Sequence, residues 1–202
     1  MIQSNPMFSL LPRSAPKRLT DPLVRVLVAL HVTPNQLTTL GVLGNLGAAV
    51  LAGHGDFLAA GLVLLAASSL DFLDGALARA TNRATPFGSV YDAVLDRVSE
   101  TAVLVALIVL FSGRDDRPEV ILAALAIVGS MLVSYVRARA EVIGVNLREG
   151  LLTRAERVVI LGLALIIDQV TIALWILAIA ANLTAAQRLF LVWRQSGTEA
   201  KR

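Results

Sequence analysis

Residues 71–96 read DFLDGALARATNRATPFGSVYDAVLD, with four aspartates set between long runs of Leu, Val and Ala. Asp71 and Asp74 are three apart, and Asp92 and Asp96 are four apart. On helices each pair shares one face, with a single turn between its members. Ionisable groups in apolar segments are expensive and mark function by default. Four unpaired carboxylates converging in a low dielectric would repel strongly, and divalent cations remove that conflict. An all-oxygen set favours a hard ion such as Mg²⁺, Mn²⁺ or Ca²⁺. Two such ions sharing carboxylates would form a clamp for phosphoryl chemistry.

The rest of the chain says where this stretch sits. Hydrophobic residues make up 56% of the 202 residues and charged ones 16%, and the mean hydropathy is +0.72. That balance points to an all-α integral membrane protein rather than a soluble domain. Without cysteine, disulfides, thiolate nucleophiles and cysteine zinc sites are excluded. His31 and His54 are too few for a histidine-rich metal site. Residues 1–20 lack the long apolar core and cleavage site of a signal peptide.

Hydrophobic patterning predicts six transmembrane helices near 36–53, 57–80, 88–112, 119–143, 153–168 and 170–193. Asp56, Pro86-Phe87-Gly88 and Pro118 punctuate the connections. Before them, Leu23, Val26, Leu27 and Leu30 recur at helical spacing near Lys17, Arg18 and Arg25. This pattern suits an N-terminal amphipathic helix lying in the membrane interface. The expected division is a cytoplasmic leader over 1–35, a six-helix domain over 36–193 and a cytoplasmic tail over 194–202.

With six spans, every Lys and Arg except Arg114 and Arg117 falls on the side that holds both termini. The positive-inside rule makes that side cytoplasmic, in a multi-pass protein of the cell membrane. The pI of about 9.9 is then largely topological, with some attraction for anionic headgroups. It calls for no nucleic acid partner.

Residues between the aspartate pairs fit phosphate chemistry. Gly75, with Ala76 and Ala78, keeps the helix surface shallow for a bulky group, and Arg79 and Arg83 offer donors to phosphate. Thr85-Pro86-Phe87-Gly88 makes a sharp re-entry into the next span. The bland alternative is that Asp71 or Asp92 merely pairs with Arg79 or Arg97. A cation transporter or channel would also use buried carboxylates. It needs them spread through the membrane depth, whereas these four lie near one cytoplasmic level, with only Asp168 near the other end.

The pattern Asp71-x₂-Asp74-Gly75-x₂-Ala78-Arg79-x₈-Gly88-x₃-Asp92-x₃-Asp96 matches every position of the CDP-alcohol phosphotransferase motif. Chain length, six spans and an amphipathic leader also resemble that family. The resemblance implies a membrane homodimer that transfers a phosphatidyl-type group from a CDP-lipid to an alcohol and releases CMP. It implies that Asp71, Asp74 and Asp92 hold two Mg²⁺ or Mn²⁺ ions, with Asp96 both a ligand and the general base. Gly75, Arg79 and Thr85 would line the CDP site, helped by Thr33-Pro34-Asn35. Taken alone, that last segment reads as a turn and helix start.

Arginines in the second half bear on the acceptor. Arg137, Arg139, Arg154, Arg157 and Arg188 would gather at the cytoplasmic face. Guanidinium groups bind phosphate through paired hydrogen bonds, so a phosphorylated alcohol is expected; the bland reading is that they snorkel to headgroups. The segments SYVRARAE, TRAER and AAQR resemble elements of the phosphatidylinositol phosphate synthases. That likeness implies inositol phosphate as acceptor, with CDP-diacylglycerol as donor, and Arg137, Arg154, Arg188 and Arg157 near the acceptor phosphate. The subfamily usually has Lys where this chain has Arg137. Glycerol 3-phosphate is the alternative acceptor, and an archaeal-type ether lipid the alternative donor.

Overall fold

The computed structural model describes residues 17–81, 85–145, 147, 150 and 152–199. Among them all regular structure is helical: α1 Lys17–Ala29, α2 Pro34–His54, α3 Phe57–Ala80, α4 Pro86–Gly113, α5 Arg117–Val142, α6 Arg154–Ile166 and α7 Val170–Glu199. Threonine caps set three of the starts. The Thr33 hydroxyl accepts from the Gln36 amide while Gln36 accepts from the Thr33 amide at 2.9 Å, a reciprocal box that satisfies two orphan donors. Thr153 and Glu156 repeat the device at α6. At α4 the Thr85 hydroxyl accepts from Gly88 N at 3.0 Å. Pro34 and Pro86 occupy first helical positions, where a missing N–H loses no bond.

Helices α2 to α7 close into a ring. α2 packs on α3 and α4, α4 on α5, α5 on α7, α7 on α6, and α6 returns to α3. α3 and α4, although consecutive, scarcely touch, because α2 lies between them. Close approach of α3 and α6 depends on Gly61, where a Cβ would stand 2.6 Å from the Gly162 carbonyl oxygen. All six helices contribute to one apolar core, with Leu64, Leu104, Leu107, Leu165 and Leu174 fully buried in it. These residues belong to the end where the α2–α3, α4–α5 and α6–α7 turns lie. Each of those turns contains a left-handed residue: Gly55, Asp115 and Asp168.

Among the described residues four helices are long and apolar enough to cross a membrane: α2, α3, α5 and α7 over Val170–Ser196. α4 has the length, with 28 residues, but carries Asp92, Asp96, Arg97 and Glu100. α6, expected over 153–168, has only 13 residues. At 1.5 Å per residue that is about 20 Å, short of a hydrocarbon layer of about 30 Å. Leu43, Val50, Leu62, Val109 and Ile179 point outward, an apolar exterior that matches a lipid environment.

α1 divides its apolar residues. Val24 is buried with Leu37 of α2 and Leu77 of α3, and Leu27 is partly buried beside them. Leu23, Val26 and Leu30 stay exposed. The helix of α7 continues to Glu199, past the expected end at 193. Its polar RQSGTE segment keeps helical hydrogen bonding after the apolar run stops. Residues 1–16 of the expected leader and 200–202 of the expected tail lie outside the described residues.

Candidate active site

α2, α4 and α6 begin, and α3, α5 and α7 end, at the end of the ring opposite the apolar core. Three helix N-termini therefore direct positive dipole ends toward one region, a setting that favours anions. Into it project the four aspartates, Asp71 and Asp74 from the last turns of α3 and Asp92 and Asp96 from the first turns of α4. The two pairs approach each other beside α2.

Each carboxylate meets a different neighbour. Asp74 is buried, and its Oδ2 accepts from the Thr38 hydroxyl of α2 at 2.5 Å. Asp71 lies against Gly41 of α2, where a Cβ would come within 3.0 Å of Asp71 Oδ1. Its Oδ2 accepts from Arg154 Nη1 at 2.8 Å, and the same nitrogen stands 2.7 Å from Asp96 Oδ1. Arg154 is the first residue of α6, so α6 delivers one cation between the two acidic helices. Its Nε is buried and has no hydrogen-bond partner among the described residues. Asp92 has no ion-pair partner within 4 Å among the described residues. Neither of the bland pairings forms: Arg97 Nη1 instead donates to the Ala93 carbonyl.

The donor set fits a hard divalent cation. Among the described residues four carboxylates stand against one bridging guanidinium, so negative charge is in excess, and the carboxylates offer hard oxygens. Among the described residues no three of them converge on one point at metal-ligand distance. Arg154 draws Asp71 and Asp96 together, while Thr38 turns Asp74 toward α2.

The expected nucleotide residues fall into two neighbouring groups. Thr33, Pro34 and Asn35 open α2 and Thr85 opens α4, and a Cβ on Gly88 would stand 3.0 Å from Thr85 Oγ1 and 3.7 Å from Asn35 Oδ1. Thr39 and Tyr91 join the same two helices, their oxygens 3.1 Å apart. Gly75 and Arg79 lie near the end of α3, with Arg79 folded so that Nη1 is 3.4 Å from the place of a Gly75 Cβ. Arg83 lies outside the described residues.

The four expected acceptor arginines are not alike. Arg154 is among the carboxylates. Arg137 is exposed and ion-paired with Glu141 at 3.0 Å. Arg188 is buried, donates from Nη1 to the Val133 carbonyl at 2.9 Å and lies against Gly150. Arg157, expected beside the acceptor, is engaged elsewhere. Its Nε and Nη2 donate to Glu100 Oε1 and Oε2 at 2.6 and 2.9 Å inside the bundle.

Thr38, Gly41 and Glu100 escaped the sequence reading. Glu100 carried a signal, since it stands one turn beyond Asp96 within an apolar span. Thr38 carried none, because its partner Asp74 is 36 positions away.

Comparison with known proteins supplies the chemistry to which this arrangement belongs. The sequence profile of the CDP-alcohol phosphatidyltransferase family matches residues 31–192. The phosphatidylinositol phosphate synthase of Mycobacterium tuberculosis (strain H37Rv) is 35% identical over 199 residues, covering 93% of this chain and 91% of that protein. The archaetidylinositol phosphate synthase of Pyrococcus horikoshii is 36% identical, covering 86% and 92%. A crystal structure of the M. tuberculosis synthase with CDP-DAG bound superposes with a TM-score of 0.80 at 34% identity, over 87% of this chain and 94% of that one. Another crystal structure of that synthase, in complex with manganese and citrate, also superposes with a TM-score of 0.80. With its carboxylate cluster, its apolar exterior and this likeness over nearly its whole length, the chain is a membrane enzyme that belongs to the CDP-alcohol phosphatidyltransferase family.

Proposed function

We propose that the enzyme transfers the phosphatidyl group of CDP-diacylglycerol to a hydroxyl of inositol phosphate, giving phosphatidylinositol phosphate and CMP. The observation that carries this reading is Arg154, a guanidinium with a buried donor to spare, held directly against Asp71 and Asp96. A phosphate on the acceptor would find its cation beside the carboxylates that perform the transfer. The relatives support the same acceptor. The bacterial and archaeal enzymes are named for different lipids, yet both names specify an inositol phosphate product.

Asp71, Asp74, Asp92 and Asp96 would hold two Mg²⁺ ions, with Mn²⁺ as substitute. When bound, such a pair supplies neutralisation of the pyrophosphate and of the charge developing on departing CMP. Asp96 is the general base: one carboxylate oxygen takes the proton of the acceptor hydroxyl. The hydroxyl oxygen then bonds to the lipid-side phosphorus as the bond to CMP breaks. Thr38 keeps Asp74 oriented by donating to Oδ2. Gly75 leaves room for the nucleotide against α3, while Arg79, Thr85 and the Thr33-Pro34-Asn35 segment hold it. Arg154, Arg188 and Arg137 gather the acceptor phosphate.

In this reading α2 to α7 all traverse the membrane, with both termini and the reaction site in the cytoplasm of the cell and Arg114 and Arg117 on the far side. The catalytic unit spans 36–193, flanked by a leader and a tail. α1 lies in the interface, its exposed Leu23, Val26 and Leu30 directed to lipid. Two copies work as a homodimer.

The test is an acceptor screen with the purified protein, following metal-dependent CMP release from CDP-diacylglycerol. Release with inositol phosphate, and none with inositol, glycerol 3-phosphate or serine, is the expected result. Release with glycerol 3-phosphate alone would reassign the acceptor. Ion flux in proteoliposomes without CMP release under any condition would overturn the reading.

A further inference from the structure

Glu100 and Arg157 are deeply buried, at 8% and 4% exposure, and the transfer as derived uses neither. The geometry points to Glu100 as a positioning residue for acceptor binding: by clamping Arg157 it fixes the start of α6 and thereby the place of Arg154. This rests on the reading of Arg154 as an acceptor-phosphate residue.

The clamp joins four parts of the molecule. Glu100 of α4 accepts two parallel bonds from the Arg157 fork, at 2.6 and 2.9 Å. Arg157 Nη2 also donates to Ser130 Oγ of α5 at 3.0 Å, and Nη1 to the Leu152 carbonyl at 3.5 Å. The Leu152 amide in turn donates to Thr184 Oγ1 of α7 at 3.3 Å. Thr153 is held by Glu156 through its amide at 2.6 Å and its hydroxyl at 2.9 Å. The two residues before Arg154 are therefore pinned from two helices, α6 and α7, and Arg157 is in turn held by α4 and α5.

Register turns this into function. Glu100 stands one turn beyond Asp96 on α4, and Arg157 one turn beyond Arg154 on α6. The ion pair thus ties the adjacent turns of the two helices that bring Arg154 to within 2.7 Å of Asp96. A buried ion pair gives little net stability over apolar residues of the same size. A planar fork bound at both prongs does fix direction, which a leucine contact does not.

A direct role for Arg157 in binding the acceptor phosphate predicts the opposite behaviour, so the two can be separated. The experiment compares wild type, Glu100→Gln, Arg154→Gln and the double variant of the full chain. CMP release is followed with the acceptor that the screen identifies. Positioning predicts that Glu100→Gln raises the acceptor KM about ten-fold, the scale of coupling between contacting residues, and leaves the KM for CDP-diacylglycerol unchanged. In the Arg154→Gln background it adds nothing further. A merely structural role would lower thermal stability and active fraction for both substrates alike, and would overturn the proposal. So would a fall in acceptor KM, which marks Arg157 as a phosphate ligand released by the substitution, or full additivity with Arg154→Gln.

Should Glu100→Gln not fold, Glu100→Asp keeps the charge and carries the same test. A raised acceptor KM that is non-additive with Arg154→Gln supports positioning, and a wild-type KM overturns it. An unchanged acceptor KM in Arg154→Gln itself would refute the acceptor reading as well. A raised KM there with no effect at Glu100 refutes positioning alone.

Discussion

At one end of the helical ring Leu64, Leu104, Leu107, Leu165 and Leu174 interlock without exposure. At the other, Asp71, Asp74, Asp92 and Asp96 confront one another around the Arg154 guanidinium. The same six helices build both ends, so the difference lies in side chains and not in topology. The leucine end lowers free energy through close van der Waals packing between helices and fixes how they cross. The aspartate end collects groups that repel, held by Arg154 and Thr38 on a frame that the far end packs. Stability and reactivity are thereby separated along the length of the bundle, and substitutions at the two ends should have different signatures.

Of the variants that set the two ends against each other, the largest effect is expected from Asp92→Asn, which should lower CMP release on the order of 10³-fold, as for loss of a charge-stabilising group. Its thermal unfolding should stay level or rise, because one repulsive charge is gone. Leu107→Ala should do the reverse. Unfolding in denaturant should be easier by about 2–5 kcal/mol, while both KM values in the folded fraction stay as in wild type. Gly61→Ala tests whether the ends communicate, since its Cβ would collide with the Gly162 backbone and displace α6. A loss of about 1–3 kcal/mol should come with a raised acceptor KM, because the same helix carries Arg154. The smallest effect is expected from Thr38→Val, which removes the hydroxyl on Asp74 Oδ2. A fall in kcat of about ten-fold, at unchanged acceptor KM, matches one hydrogen bond to a charged group.

What could be read from the sequence was local. Thr33-Pro34 and Thr85-Pro86 announce helix starts because caps depend on neighbours within a turn. The aspartate pairs announce a site because three- and four-residue spacing is a property of one helix. Contacts between distant segments left no such trace. Nothing near Arg157 indicates that its partner lies 57 positions away, so its charge read as an acceptor contact. Nothing near Asp71 and Asp96 announces Arg154. The ring order, with α2 separating α3 from α4, is equally non-local. Two consecutive spans suggest direct packing of α3 on α4, and nothing in the sequence indicates that α2 packs on both instead. At α7 the hydropathy signal ended at 193 although the helix did not, because helical hydrogen bonding needs no apolar side chains.

The account rests on the carboxylates at the open end performing the transfer, and Asp96 tests it most directly. The measurement is metal-dependent CMP release from CDP-diacylglycerol by wild type and Asp96→Asn, with thermal unfolding of both followed in the same detergent. The prediction is a loss of about 10²–10⁴-fold, the usual contribution of a general base, at an unaltered unfolding temperature. Turnover within a few-fold of wild type in a folded Asp96→Asn protein would contradict it.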